Sequence, residues 1–212
     1  MAQAGTVDRI LDTAEVLFAQ KGFAETSLRA ITSKAGVNLA AVNYHFGSKE
    51  ALIQAVFERF LDPFCAQLES MLGDLEANPE RVTLERLLAT LSRSAIAVQR
   101  GEPQRVAIFF RLSGLAYSQA QGHLRRFFRE HYGSVFRRFL KLLALAVPDV
   151  PPMEVFWRVH FALGATIFTL SGMDSLRAIC RSDFAVEVSP QQVDERLLAF
   201  LAGGIRAALP AS

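Results

Sequence analysis

Between residues 26 and 49 the hydrogen-bonding side chains are arranged like a probe for a polar, anionic groove. Asn38 and Asn43 carry amides that match the donor and acceptor edge of adenine, while Leu39 and Ala40 suit the methyl group of thymine. Tyr44 offers a hydroxyl, and Lys49 places an ammonium beside the free amide groups that begin a new helix; both suit phosphate oxygens. Thr26, Ser27 and Arg29 occupy the matching start of the preceding helix. Residues 1–50 balance five Lys/Arg against five Asp/Glu, so attraction to DNA requires Asp8, Asp12 and Glu15 to face elsewhere.

These groups need rigid, closely spaced helices to hold them. Val7, Ile10, Leu11, Ala14, Leu17 and Phe18 recur at helical spacing, with Thr6 available as a cap and Gly22 as the end. Leu28, Ile31 and Ala35 mark a second, shorter helix with Thr26 or Ser27 before it. Ala35-Gly36-Val37 supplies the tight turn a helix-turn-helix requires, because glycine accepts backbone angles that other residues resist. Asn38 then caps a third helix carrying Ala41, Val42 and Phe46 inward, and Gly47-Ser48 opens the next. Residues 1–48 thus read as a three-helix DNA-binding domain with its motif at about 27–46, and 49–212 as a second helical domain. Long helices there are interrupted at Asn78-Pro79, Gly101-Glu102-Pro103, Pro148 to Pro152 and Ser189-Pro190, and Pro63 predicts a bend. No segment alternates apolar and polar residues as a strand would, so the expected fold class is all-α.

The run ETSLRAITSKAGVNLAAVNYHFGSKEALI resembles the DNA-binding domain of the TetR family of one-component repressors. The resemblance covers residue 6 to about 60 and rests on the Ala-Gly-Val turn, His45-Phe46 and Ser48-Lys49-Glu50. It implies a homodimer on double-stranded palindromic operator DNA, released by a small hydrophobic effector. Thr32 stands where the family usually has alanine. Asn43 stands where a tyrosine is common, so that family's phosphate-binding tyrosine is open between position 43 and Tyr44. His45 and Phe46 read as packing and capping residues. Within the family, AGVNLAAVNYHFGSK, QGHLRRFFREHYGSVFRRF and PPMEVFWRVHFALGA resemble the PsrA-type regulators, which implies sensing of long-chain fatty acids or acyl-CoA and control of lipid metabolism genes.

Fourteen of the seventeen phenylalanines fall after residue 50, enough to build a core and still enclose an apolar cavity between helices. Phe109, Leu112, Leu115, Phe136, Phe139, Trp157, Phe161 and Phe168 are the expected lining, with Arg111, His160 or Arg158 to meet a carboxylate or thioester head. The dimer interface is expected from Gly164, Ala165, Thr169 and Gly172 on one helix and Leu197, Leu198, Leu201 and Ile205 on another, with Gly203-Gly204 permitting close approach. The basic face of Arg125, Arg126, Arg129, Arg137, Arg138 and Lys141 reads as solvated surface.

A net charge of +2 and 51% apolar residues describe a globular chain with no bulk electrostatic signature for nucleic acid. The start MAQAGTVDRI resembles no signal peptide, and the apolar run Phe161 to Met173 is shorter than the ~20 residues of a membrane span, so a cytoplasmic protein without membrane attachment is expected. Cys65 and Cys180 lack ligand spacing and read as buried free thiols. No phosphate loop, GxSxG elbow or paired metal histidines are present, so no catalytic residues, metal or cofactor are expected. Three readings compete with acyl sensing: a regulator of the same family for another hydrophobic compound such as a drug or aromatic, an acyl-ligand enzyme that binds no DNA, and a helical module that sequesters a partner.

Overall fold

The computed structural model describes residues 5–99, 102, 104–118 and 122–209. Gly101 and Pro103 of the expected break, and Gln121 before the basic face, lie outside the described residues. Among the described residues every regular element is helical: α1 (Thr6–Glu25), α2 (Leu28–Ala35), α3 (Leu39–Phe46), α4 (Lys49–Glu76), α5 (Leu84–Ala97), α6 (Gln104–Ser118), α7 (Gly122–His131), α8 (Gly133–Ala146), α9 (Pro152–Ser171), α10 (Met173–Phe184) and α11 (Pro190–Arg206), with a 3-10 turn at Pro79–Arg81.

Capping follows the local chemistry at five helix starts. Ser27, Asn38, Ser48 and Thr83 each accept a hydrogen bond from a backbone N–H of the helix they precede, and Ser189 forms a reciprocal box with Gln192. Thr6, expected as a cap, is instead the first helical residue behind Gly5, which has no side chain to cap with. At Gly22 the backbone leaves the helix with φ 84°, and Thr26, 1% exposed, donates its hydroxyl to the Gly22 and Leu17 carbonyls at 2.8 and 3.2 Å. Pro63 does not interrupt α4, which runs unbroken through it. α10 was concealed in the sequence by its sparse apolar pattern; none of its side chains is buried.

α1, α2 and α3 pack with the start of α4 around Ile10, Phe18, Ile31, Val42 and Leu52. The same cluster of buried side chains continues along α4 through Phe57, Phe60, Phe64 and Leu68 into α5, α6, α8 and α11. α4 is therefore a shared strut between the first three helices and the rest, and α1 also packs directly on α6. Cys65 is buried on this strut; burial first, then nearby Asp62 and Glu69, push its thiol up to about 12, which makes it a poor nucleophile at neutral pH. No helix among the described residues is long and apolar enough to cross a membrane, and none of their His, Cys, Asp and Glu side chains form a cluster that could hold a metal.

Candidate nucleic-acid interface and effector cavity

α3 contributes one buried side chain, Val42, to the core; the rest of the helix faces outward or lies half-buried. Asn38 is exposed and uses its side-chain oxygen to accept from the Ala40 N–H at 2.7 Å. Ala40, Asn43 and Tyr44 are exposed, Tyr44 at 86%, and Leu39 is half-buried. Ser27 and Arg29 at the start of α2 are also exposed, so α2 and α3 present their polar positions to solvent. Thr26 does not join them, since its hydroxyl is committed to the carbonyls of α1. Lys49 lies half-buried and donates to the Ala24 carbonyl at 3.2 Å, tethering the start of α4 to the end of α1. His45 is exposed rather than packed, its ring set edge-on to Tyr44 at 5.0 Å, while Phe46 packs on the core.

The turn between α2 and α3 is held in a way the sequence did not announce. Gly36 adopts a left-handed conformation, φ 64°, and its N–H and that of Val37 return to carbonyls of α2. Arg9 of α1 reaches across and donates to the carbonyls of Ala35 and Gly36 at 2.5 and 2.8 Å. A Cβ on Gly36 would lie 2.9 Å from the Arg9 guanidinium nitrogen. Gly36→Ala is therefore expected to lose about 1–2 kcal/mol through the left-handed backbone alone. Arg9 must also swing off the turn. The expected result is a melting temperature lower by roughly 2–8 °C, read by circular dichroism; an unchanged transition would mean that the turn is not strained.

Of the acids of α1, Glu15 is turned inward and Asp12 is tied down, while Asp8 and Glu25 stay exposed. Glu15 is 2% exposed and lies between two guanidiniums: Arg105 of α6 at 2.9 Å and Arg59 of α4 at 3.0 Å, with Arg59 also 2.7 Å from Asp12. Burial pushes the Glu15 carboxyl above its ordinary range while Arg105 and Arg59 pull it back. Arg105 is itself buried, stacked 4.6 Å over the Phe60 ring. Sequence reading treated Glu15 only as a charge to be kept from DNA; the structure makes it the ionic joint between α1, α4 and α6.

A cavity of about 430 Å³ opens between α4, α5, α6, α8, α9 and α11. Phe109, Phe136, Phe139 and His160 line it, as expected, together with Phe57, Phe64, Leu88 and Leu201. The other expected residues do not. Leu112 is wholly buried in the core, and Leu115 packs half-buried on that core away from the lining. Arg111 is exposed and donates to the Ser171 carbonyl at 3.1 Å; Arg158 is buried against the Ile205 carbonyl at 2.8 Å, with Glu154 one turn back at 3.5 Å. Trp157, Phe161 and Phe168 point off the molecule, at 50%, 68% and 68% exposure, because they fall on the face of α9 opposite the cavity.

The faces expected at the dimer interface change place accordingly. Leu197, Leu201 and Ile205 are buried within the chain and line the cavity, and Leu198 is half-buried there. The outward face of α11 instead carries Phe200, Gly203 and Gly204, alongside Trp157, Phe161, Gly164 and Phe168 on α9. Of the basic face, Arg138 is engaged by Glu76 and Glu69 of α4 at 2.7 and 2.8 Å, and the others are exposed.

Comparison with known proteins agrees with this architecture. Residues 10–56 match the family model "Bacterial regulatory proteins, tetR family", and residues 89–204 match "Tetracyclin repressor-like, C-terminal domain". The HTH-type transcriptional repressor KstR2 of Rhodococcus jostii is 30% identical over 106 residues, covering 47% of this chain and 51% of that protein. The HTH-type transcriptional regulator UidR of Escherichia coli K12 is 37% identical over 70 residues, covering 31% of this chain and 36% of that protein. The matches thus span about half or less of these curated relatives. Among solved structures, Mycobacterium smegmatis AmtR superposes with TM-score 0.60 at 22% identity, covering 95% of this chain and 88% of that one. A transcriptional regulator from Aquifex aeolicus does so with TM-score 0.53 at 24% identity, covering 93% and 98%. The likeness to the solved structures is one of fold, but the two family models together match residues 10–56 and 89–204, so the chain belongs to the tetR family of bacterial regulatory proteins.

Proposed function

We propose that the protein is a repressor that binds palindromic operator DNA as a homodimer and lets go when an apolar effector fills the cavity beside α4 and α6. The observation that carries this reading is α3 itself. It is a short helix anchored by one buried valine, with Ala40, Asn43 and Tyr44 exposed to meet a groove and Asn38 exposed in front of it as its cap. Residues 1–48 would then be the reading head and 49–212 the effector and dimerisation part.

Dimerisation is supported by the unpaired apolar face of α9 and α11. Exposed aromatics of this size, set beside Gly164, Gly203 and Gly204, are the composition of a surface that packs closely against its own copy. A two-fold pair must set its recognition helices about 34–36 Å apart to meet successive major grooves.

The effector would act on that spacing by two routes. α4 brings Phe57, Leu61 and Phe64 to the cavity and starts directly after α3. α6 brings Phe109 and Phe110 and is joined to α1 through Arg105 and Glu15. The acyl-chain part of the expected ligand suits the apolar lining: eight buried methylenes contribute about 6 kcal/mol. Moving a repressor from 1:99 to 99:1 requires roughly 5.5 kcal/mol of preference between states. The expected cationic partners Arg111 and Arg158 do not support the carboxylate part, being engaged outside the lining.

Fluorescence anisotropy with inverted repeats from upstream of the protein's own gene tests the reading. The logarithm of the association constant is expected to fall linearly with log salt, with a slope of about −0.9 per phosphate neutralised. Tyr44→Ala and Lys49→Ala are each expected to weaken all sequences alike, and Lys49→Ala to reduce the slope by about one. A monomer in solution that ignores every repeat offered would overturn the proposal.

A further inference from the structure

The polar atoms reaching the cavity are nearly all acceptors. Asp194 of α11 presents its carboxylate in the lining, where it takes a 2.7 Å hydrogen bond from the Ser92 hydroxyl of α5. The hydroxyls of Ser113 and Thr166 donate to the Phe109 and Ala162 carbonyls one turn back, both at 2.8 Å, and turn only lone pairs elsewhere. His160 at the rim has Nδ1 2.7 Å from the Phe156 carbonyl. A carbonyl only accepts, so the geometry assigns the proton to Nδ1, and in the neutral ring Nε2 is left as an acceptor. Tyr117, at the exposed edge, adds a hydroxyl that can give or take. No lysine or arginine stands among the described lining residues.

Resting on the cavity being the effector site, we infer that the effector is an elongated apolar molecule whose polar end donates hydrogen bonds, as a hydroxyl or an ammonium does, and bears no carboxylate. A ligand carboxylate would enter an apolar site with no lysine or arginine among its described lining residues to meet it and with the Asp194 carboxylate already there. A hydroxyl or ammonium meets the free lone pairs of Asp194 instead, and an ammonium adds the strength of a charged pair.

The test holds the apolar chain constant and changes the head. Decanol, decylamine and decanoate are titrated into the purified full-length protein by calorimetry, with thermal melting alongside. Decanol and decylamine are expected to bind at least about tenfold more tightly than decanoate. Asp194→Asn, checked by its melting curve, is expected to weaken decylamine by about tenfold or more and to leave decanol within about threefold. Ala162→Phe, which puts a ring into the same cavity, is expected to abolish binding of both. If decanoate binds most tightly, is blocked by Ala162→Phe and is indifferent to Asp194→Asn, the head-group inference falls while the cavity remains the effector site. If none of the three binds, or binding persists in Ala162→Phe, the effector site itself falls and the inference with it.

Discussion

Replacing Glu15 by leucine is expected to lower the melting temperature by roughly 6–20 °C. The leucine removes the carboxylate that, alone among the described residues, meets Arg105, a guanidinium 7% exposed and locked in place between α1, α4 and the Phe60 ring. Breaking a buried pair by removing one partner costs about 3–5 kcal/mol, because the other charge stays buried without compensation. For a chain of this length each kcal/mol shifts the transition by about 2–4 °C. Arg59 suffers less, since it keeps Asp12 at 2.7 Å.

The double variant Glu15→Leu with Arg105→Leu should recover most of the loss or exceed wild type. Burial outweighs the two guanidiniums at Glu15, so the intact pair is no net source of stability at neutral pH. The pH dependence follows in sign. A carboxyl whose folded-state value is raised contributes fully below its unfolded value and loses that contribution as pH rises through the folded one. Wild type should therefore lose ground to the double variant as pH climbs from 4.5 upward. Chemical or thermal unfolding of the three proteins across pH decides it; a single variant within about 1 kcal/mol of wild type would show that Arg105 is not sealed in as described.

Ala162→Phe should produce a repressor that holds its operator and no longer answers its effector. Ala162 lines the cavity from α9, and a phenyl ring added there occupies space the ligand needs. Core sites resist added bulk at about 1–3 kcal/mol when packed, but a void of about 430 Å³ gives the ring room, so stability should hold or rise. The residues proposed to face DNA are untouched, and operator affinity should remain within about threefold. The effector, denied most of its apolar burial, loses several of the ~6 kcal/mol that eight methylenes supply, which raises the concentration for release by about a hundredfold or more. Anisotropy of the operator complex titrated with decylamine, wild type beside variant, gives the answer. Release at the same concentration by both would place the effector elsewhere.

Much of the arrangement of the first three helices was legible because its determinants are local. Ser27, Asn38 and Ser48 cap helices through hydrogen bonds that span two or three residues, and Gly36 turns the chain through its own backbone angles. Such features need no knowledge of the rest of the molecule. Arg9 on the turn, Glu15 against Arg105, and the commitment of Thr26 to α1 were not legible, because each joins groups brought together only by packing; Glu15 and Arg105 are 90 positions apart.

The second half separates what sequence decides from what folding decides. The proline breaks marked where helices begin, at Pro148 to Pro152 and at Ser189-Pro190, since a break is a property of one segment, but not that the first of them ends at Ser171 with Gly172 beyond it. They did not decide which face meets what. α9 is apolar nearly all round, and only its packing on α6 and α11 turned Val159 and Ala162 toward the cavity while leaving Trp157, Phe161 and Phe168 outside. On α11 the same packing drew Leu197, Leu201 and Ile205 inward and left Phe200 exposed. A helix with two apolar faces carries no label for inside; the neighbours that bury one of them supply it.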